Sequence, residues 1–242
     1  IADDNGFLKV FNVSNPANPF FVSKFDAEDR ILSLDVRGGY AYTAGNGWLK
    51  IIDLSNPKEL TLAGVFNVEG VVSGVQANGS YLYIAAREVQ IIDISNPNDP
   101  SLIGNININP GAIYIKDEFA YIVSNTNILK IIDISNPITP LIVGSYDLRE
   151  HYDVSAGAYG IHVNEKYAYL NIWNASESLL ILDVSNPANP LPVGGLKTQG
   201  LSSNVEVAGN FAYVSDNVIL GDTGRSSPGL KIINISNPSL PI

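Results

Sequence analysis

The chain has 242 residues, 45% hydrophobic and 16% charged, with no cysteine and a formal net charge of −10. Disulfides and thiolate metal sites are excluded, and the acidic balance lacks the positive footprint that nucleic acid or anionic lipid requires. No run of 18 or more apolar residues is present, so no segment reads as a membrane-spanning helix.

The tripeptide Ser-Asn-Pro occurs at Ser14, Ser55, Ser95, Ser135, Ser185 and Ser236, at intervals of 41, 40, 40, 50 and 51 residues. A period near forty marks a repeat architecture. A residue present in every copy builds the repeat, and a residue present in one copy is a candidate for function. In chain order, the first copy shows a strand near Ile1, then strands over 8–13 and 20–25. Full copies begin near Ile31, Val71, Gly111 and Tyr159, and the last runs over 202–235. The copy from Gly74 shows the pattern: a strand over 75–77, the turn Asn78-Gly79-Ser80, and strands over 81–84 and 89–94. Ser-Asn-Pro then turns the chain into a fourth strand over 101–106. These segments are β-branched, aliphatic and aromatic between Gly, Asn and Pro, the composition of strands and tight turns. No segment carries a helical period.

Two features recur. The second strand holds an aromatic–x–Tyr triplet: Tyr40/Tyr42, Tyr81/Tyr83, Phe119/Tyr121, Tyr167/Tyr169 and Phe211/Tyr213. Residues i and i+2 share a strand face, so these aromatics read as packing between sheets. The third strand ends in Asn12, Asp53, Asp93, Asp133, Asp183 or Asn234, two residues before each Ser. An Asp or Asn there can accept backbone N–H bonds and fix the turn. Four strands per forty residues predict an all-β, six-bladed β-propeller with four-stranded antiparallel blades, the first and last incomplete. Residues 1–242 are expected to form one domain, a piece of a longer polypeptide.

The run Leu49-Lys50-Ile51-Ile52-Asp53-Leu54-Ser55-Asn56-Pro57, echoed over 129–137 and 179–187, resembles the LVIVD-repeat family, and Leu141-Ile142-Val143-Gly144-Ser145-Tyr146 fits that repeat's tail. The resemblance implies propeller modules of bacterial or archaeal surface or secreted proteins, hence an extracellular or cell-surface setting. It carries over no catalytic residues. Leu60 departs from it where a second Pro is usual, and Asn12 and Asn234 depart where Asp is usual.

Single-copy features lie at one edge. Turns between first and second strands share an edge with the Ser-Asn-Pro turns, and the remaining connections share the opposite edge. There, the loop after Tyr146 gains about six residues, the one near Trp173 about three, and the one from Asp216 to Leu230 about ten, as binding-face insertions do. Arg149, His151, Tyr152, Asp153, Trp173, Asp222 and Arg225 are the candidate binding-face residues. Five residues before each triplet the first strand carries Asp35, Gln76, Tyr114, His162 or Glu206. Polar side chains on an otherwise apolar strand seek water or partners, so these five are expected to line the central channel. His162 with Asp35 and Glu206 could grip a metal, but a lone His among carboxylates points first to hydrogen bonding, and no metal is assigned. Asp3-Asp4-Asn5-Gly6 and Asp216-Asn217 with Asp222 are incomplete as calcium loops. Asn174 opens the most plausible glycosylation sequon.

The expected function is non-enzymatic: a secreted or surface propeller module, scaffold or adhesive, presenting the long-loop face to a protein or glycan, with no cofactor. The alternative is a hydrolase-like or cation-dependent site at the channel mouth, using His162, Asp35, Glu206, His151 and Asp153. Strand exchange or assembly with neighbouring chains at the open ends is a further expected contact.

Overall fold

The computed structural model describes residues 1–3, 5–150, 157–173, 178–198, 201–220 and 225–242. Six antiparallel sheets follow one another along the chain. Sheet 1 pairs β1 (Phe7–Asn12) with β2 (Phe20–Asp26). Sheet 2 holds β3 (Ser33–Arg37), β4 (Tyr40–Ala44), β5 (Asn46–Asp53) and β6 (Thr61–Val71). Sheet 3 holds β7 (Gly74–Asn78), β8 (Tyr81–Ala85), β9 (Val89–Asp93) and β10 (Ser101–Ile106). Sheet 4 holds β11 (Pro110–Lys116), β12 (Phe119–Ser124), β13 (Ile128–Asp133) and β14 (Leu141–Asp147). Sheet 5 holds β15 (Gly157–Asn164), β16 (Tyr167–Trp173), β17 (Leu179–Asp183) and β18 (Leu191–Leu196). Sheet 6 holds β19 (Leu201–Ala208), β20 (Phe211–Leu220) and β21 (Arg225–Asn234). In each four-stranded sheet the strands are ordered as in the sequence, so every connection is a hairpin. The first and last sheets are partial, as expected. Ala2 bridges Leu8 where a second strand would run. Ile242 exchanges both backbone bonds with Asn234, where a fourth strand would begin.

The chain divides into two compact units, residues 1–109 with 137–139, and residues 110–136 with 140–242. Within each unit the sheets are laminated by apolar side chains. In the first unit, Tyr42, Leu49 and Ile51 of sheet 2 pack on Val75, Leu82, Ile84 and Ile92 of sheet 3. In the second, Tyr169, Leu179 and Ile181 of sheet 5 pack on Val205, Ala212, Val214 and Ile233 of sheet 6. The third strand therefore faces both ways: Leu49 and Ile51 look forward to the next sheet, and Ile52 looks back to Leu8 and Ala27 of sheet 1. That explains why it carries adjacent apolar residues such as Ile51-Ile52 or Ile91-Ile92 rather than a strict alternation. In four of the five aromatic pairs the second member is the buried one, with Tyr42, Tyr83, Tyr121 and Tyr169 at most 5% exposed, and in the fifth Tyr213 is partly buried.

The Asp or Asn at the end of each third strand does the same work in all six copies. Its Oδ1 accepts the backbone N–H of the Ser two residues on, at 2.7–2.9 Å. The next Asn repeats the device one step later. The Oδ1 atoms of Asn15, Asn56, Asn96, Asn186 and Asn237 accept the N–H two residues on at 3.2–3.3 Å. Two consecutive Asx bonds rigidify the corner, the second closing across the Pro, which has no N–H to satisfy.

That corner seats on the preceding sheet. Each fourth strand contains a bulge just before a Gly, at Gly64, Gly104, Gly144 and Gly194. A Cβ added at Gly64, Gly144 or Gly194 would collide with the carbonyl oxygen of Pro97, Pro187 or Pro238 respectively. At Gly104 it would stand 3.2 Å from that of Pro137. Sheet 1 has Ser23 at the same place, and there the Oγ donates to the Pro57 carbonyl at 2.6 Å. The Gly of the family-like tail is thus required for close approach of two backbones, not for a special φ.

The structure corrects the reading of 216–230 as a lengthened loop. β20 and β21 continue as a regular ladder through Asn217↔Pro228, Val218↔Ser227 and Ile219↔Ser226 to Leu220↔Arg225. Val218, Ile219 and Leu220 are strand formers, and a two-stranded extension satisfies the backbone that an irregular loop would leave to solvent. The loop after Tyr146 opens with a 3-10 turn, Leu148–Glu150, whose Leu148 is buried.

Two outcomes are expected. Gly64→Ala should lower stability by about 1–3 kcal/mol through overpacking, and Gly104→Ala by less, as read from denaturant midpoints; equal effects would contradict the seating. The bonds from Ser hold Asp53, Asp93, Asp133 and Asp183 below their usual carboxyl value of 3.8. A depressed folded pKa gives stability that is full above the unfolded value and lost as pH falls through the folded one. Replacing the four by Asn, which Asn12 and Asn234 show makes the same bond without a charge, should lower the melting temperature at pH 7 and flatten its fall below pH ~4.

Candidate functional site

The first strands of successive sheets are laced to one another by the residues that break their apolar pattern. In the first unit, Ser33 and Asp35 on β3 accept the N–H groups of Val75 and Ala77 at 3.0 and 2.7 Å. Arg37 of the same strand donates to the Ala77 carbonyl at 2.5 Å. Alternation places Ser33, Asp35 and Arg37 on one face, and that face meets β7. Gln76 lies on β7 and is partly buried.

In the second unit a row of side chains carries the lacing. Tyr114 on β11, His162 on β15 and Glu206 on β19 form a row. His162 Nδ1 stands 2.9 Å from Glu206 Oε2, and His162 Nε2 stands 3.4 Å from the Tyr114 hydroxyl. The two rings lie 4.7 Å apart between centroids at 47°. A carboxylate can only accept, so Nδ1 carries the proton and Nε2 is left to accept from the Tyr114 O–H. The His162 side chain is 13% exposed and that of Glu206 is 67% exposed, so the row runs from a covered end to a wet one. Burial pushes the His162 pKa below 6.5, against the opposing pull of the Glu206 carboxylate. Burial, followed by the charge of Glu206, pushes the Tyr114 phenol up. The row at neutral pH is therefore a neutral phenol, a neutral imidazole and a carboxylate. Lys116, two residues on from Tyr114, donates to the Glu165 carbonyl at 2.6 Å and so ties β11 to the turn after β15.

Beside this row lies a second polar feature that sequence reasoning missed. Asn171 of β16 is fully buried, pairs across the ladder with Gly160, and its amide nitrogen and oxygen are both without a hydrogen-bond partner among the described residues. Its Oδ1 and the Oδ1 of Asn204 both close on the space above Gly160. In the copies from sheets 2 and 3 the matching positions are Ala44 and Ala85, so the single-copy Asn was the available signal. Asp216 of β20 is also fully buried and accepts the Thr198 hydroxyl at 2.8 Å. In the first unit an open groove of about 800 Å³ runs along sheet 1, lined by Val10, Phe11, Phe20, Phe21 and Pro57.

Of the candidate binding-face residues, Arg149 is placed by the 3-10 turn and bonds Asp147 through its Nε and Nη2 at 2.8 and 2.5 Å. Trp173 and Arg225 end and begin strands β16 and β21. His151, Tyr152, Asp153, Asp222 and Asn174 lie outside the described residues. Among the described residues no group of three His, Asp or Glu forms a metal cluster. Asp3 spends its Oδ1 on the N–H groups of Asn5 and Phe7 and its Oδ2 on Lys9, as a turn residue does.

A family model, the LVIVD repeat, matches residues 1–27, 32–68, 69–108, 111–148, 157–198 and 199–242. No curated protein matches the chain in sequence. Among solved structures it is similar to the Pseudomonas aeruginosa periplasmic gluconolactonase PpgL, at 14% identity and a TM-score of 0.74 over 96% of this chain and 81% of that one. It is also similar to the Myceliophteria thermophila Cps50 (Swd1) beta-propeller domain, at 13% identity and TM-score 0.64 over 96% and 81%. BamB from Moraxella catarrhalis matches at 13% identity and TM-score 0.61 over 94% and 81%. In two further matches the chain spans 58% of the solved chain. At such identities the likeness shows the fold alone, a β-propeller with partial first and last blades.

The row yields one prediction. In Glu206→Gln, which removes the carboxylate that favours the imidazolium, the His162 pKa followed by NMR should fall further below 6.5. Because its folded value is depressed, His162 contributes stability that is full above the unfolded pKa and lost as pH falls through the folded one. An unchanged or raised pKa in the variant would contradict the pairing.

Proposed function

Since the chain belongs to the LVIVD-repeat family, we propose that it works as a binding module of a secreted or cell-surface protein and is not an enzyme. It would present the edge of its second-to-third-strand hairpins to a protein or glycan. The observation that carries this reading is the β20–β21 hairpin. The matching hairpins in sheets 2, 3 and 4 close at Ala44/Leu49, Ala85/Val89 and Val123/Leu129, whereas this one runs on to Leu220↔Arg225. A projecting, hydrogen-bonded hairpin offers a binding surface that does not have to be ordered on contact, which reduces the entropic penalty of association. The repeat's shared residues are consumed in building the sheets, and surplus chain at one edge is where repeat proteins place recognition. The envelope setting accords with the family resemblance and with the periplasmic gluconolactonase among the structural likenesses. No helix among the described residues is long and apolar enough to cross a membrane.

A second reading, a hydrolase-like or cation-dependent site, is favoured by the Tyr114–His162–Glu206 row alone. It ranks lower because the Tyr114 hydroxyl stands 3.4 Å from His162 Nε2, longer than a nucleophile–base hydrogen bond, and among the described residues no group of three His, Asp or Glu gathers to hold a cation.

The test is a panel of immobilised polysaccharides and purified surface proteins, probed with the native chain and with a variant whose residues 218–227 are replaced by Asn-Gly. The native chain should retain at least one member of the panel, and the variant should lose it about 100-fold or more, the loss of a hot-spot cluster, with an unchanged melting temperature. Undiminished binding by the variant would overturn the reading. So would δ-gluconolactone hydrolysis by the native chain that His162→Ala abolishes.

A further inference from the structure

We infer that the seam between sheets 5 and 6 parts to admit a glycan, whose hydroxyls pair with the Asn171 amide, with Thr198 and Asp216 as the other polar groups of the site. The inference rests on the binding-module reading above and narrows its ligand. Asn171 shares a strand face with Tyr169, which packs into this seam from sheet 5. Asp216 shares one with Ala212 and Val214, which pack into it from sheet 6. Thr198 joins the two sides. Its hydroxyl donates to Asp216 Oδ1 at 2.8 Å, and its N–H donates to Ser178 Oγ at 3.1 Å. All four polar residues are 8% exposed or less.

Other copies close the same places with apolar or small residues. Asn171 pairs with Leu179 as Ala44 does with Leu49, Ala85 with Val89 and Val123 with Leu129, and those three counterparts are fully buried. Thr198 stands two residues after Leu196, as Val68 does after Phe66, Ile108 after Ile106 and Leu148 after Tyr146. Asp216 stands where Gly45, Ala86, Ser124 and Ile172 stand, none of them charged. Three single-copy polar side chains therefore gather in one seam. They lie beneath the extended hairpin, since Asp216 pairs with Gly229 one step before Asn217↔Pro228.

The closed seam satisfies this set incompletely. The Asn171 amide nitrogen and oxygen have no hydrogen-bond partner among the described residues. A buried amide without partners favours any state in which it meets water or a ligand. This seam is thus held nearer to opening than the one closed by Ala44 and Val68. A ligand that pairs the amide only in the open form draws the chain toward that form. An amide sets a donor beside an acceptor, and adjacent sugar hydroxyls, which each donate and accept, answer both. Both edges of β16 are taken, by β15 and β17, so an extended peptide finds no strand to join there.

Retention of the 242-residue chain on immobilised chitin, cellulose, xylan and dextran, read beside its melting temperature, tests this. At least one of the four should retain the native chain. Asn171→Ala copies Ala44 and Ala85 of the matching strands. It should weaken that retention about 10-fold or more and raise the melting temperature, because the unpaired amide is gone. Asn171→Val copies Val123 and should do the same without leaving a cavity. Native retention in both variants overturns the inference, as does a fall in both melting temperatures, which would mean that the amide has a partner in the closed seam. A native chain that none of the four polysaccharides retains overturns it too. If a purified surface protein retains that chain instead, and replacement of residues 218–227 abolishes the retention, the binding-module reading stands while the glycan inference falls.

Discussion

A four-stranded sheet of this length can bury neither of its faces alone, so its stability is borrowed from its neighbours. In this chain that loan depends on how closely successive sheets approach. The approach is fixed where the Ser-Asn-Pro corner of one sheet seats on the Gly of the preceding sheet's fourth strand. The corner is rigid because two consecutive Asx bonds hold it. The seat is open because a bulge and a missing side chain let the strand come in. Apolar burial then supplies the energy at about 25 cal/mol per Å², but the corner sets the spacing at which Tyr42, Leu49 and Ile51 meet Leu82 and Ile84.

The lacing of first strands is a second constraint of the same kind, with freer chemistry. Ser33 and Asp35 use the backbone of β7, whereas Tyr114, His162 and Glu206 use one another. Each solution satisfies polar groups that would otherwise be left between two apolar sheets. Because the corner and the lace carry the architecture, the opposite edge is released from structural duty. That is the edge where the β20–β21 hairpin grows, and it is why the binding proposal rests there rather than on the row.

The period, the strand types and the role of the third-strand Asp or Asn were open to sequence reasoning because each is a local matter repeated six times. Repetition turned a weak turn signal at Asn12 or Asp93 into a strong one. What could not be read was set by neighbours distant in sequence. Gly144 is conspicuous in its strand, but nothing local says that the carbonyl of Pro187 fills its missing Cβ. The first-strand polar residues stand out locally because an isolated polar group wants water or a partner, but the partners, Ala77 for Asp35 and Glu206 for His162, lie some forty residues away. The segment after Asp216 looked like a loop because its surplus length outweighed the β-branched and aliphatic residues at Val218, Ile219 and Leu220. Asn171 differs from Ala44 and Ala85 at the matching positions, but that it is fully buried, which gives the difference its meaning, is not local information.

Amide hydrogen exchange on Gly144→Ala tests the corner-and-seat account most directly. The account predicts faster exchange on both sides of the seat, in β13 and β14 and in the turn that follows Asp183, while β3 to β6 keep their native rates. Acceleration confined to β14 would contradict it, because the added methyl would then be felt by its own strand and not by the corner that rests on it.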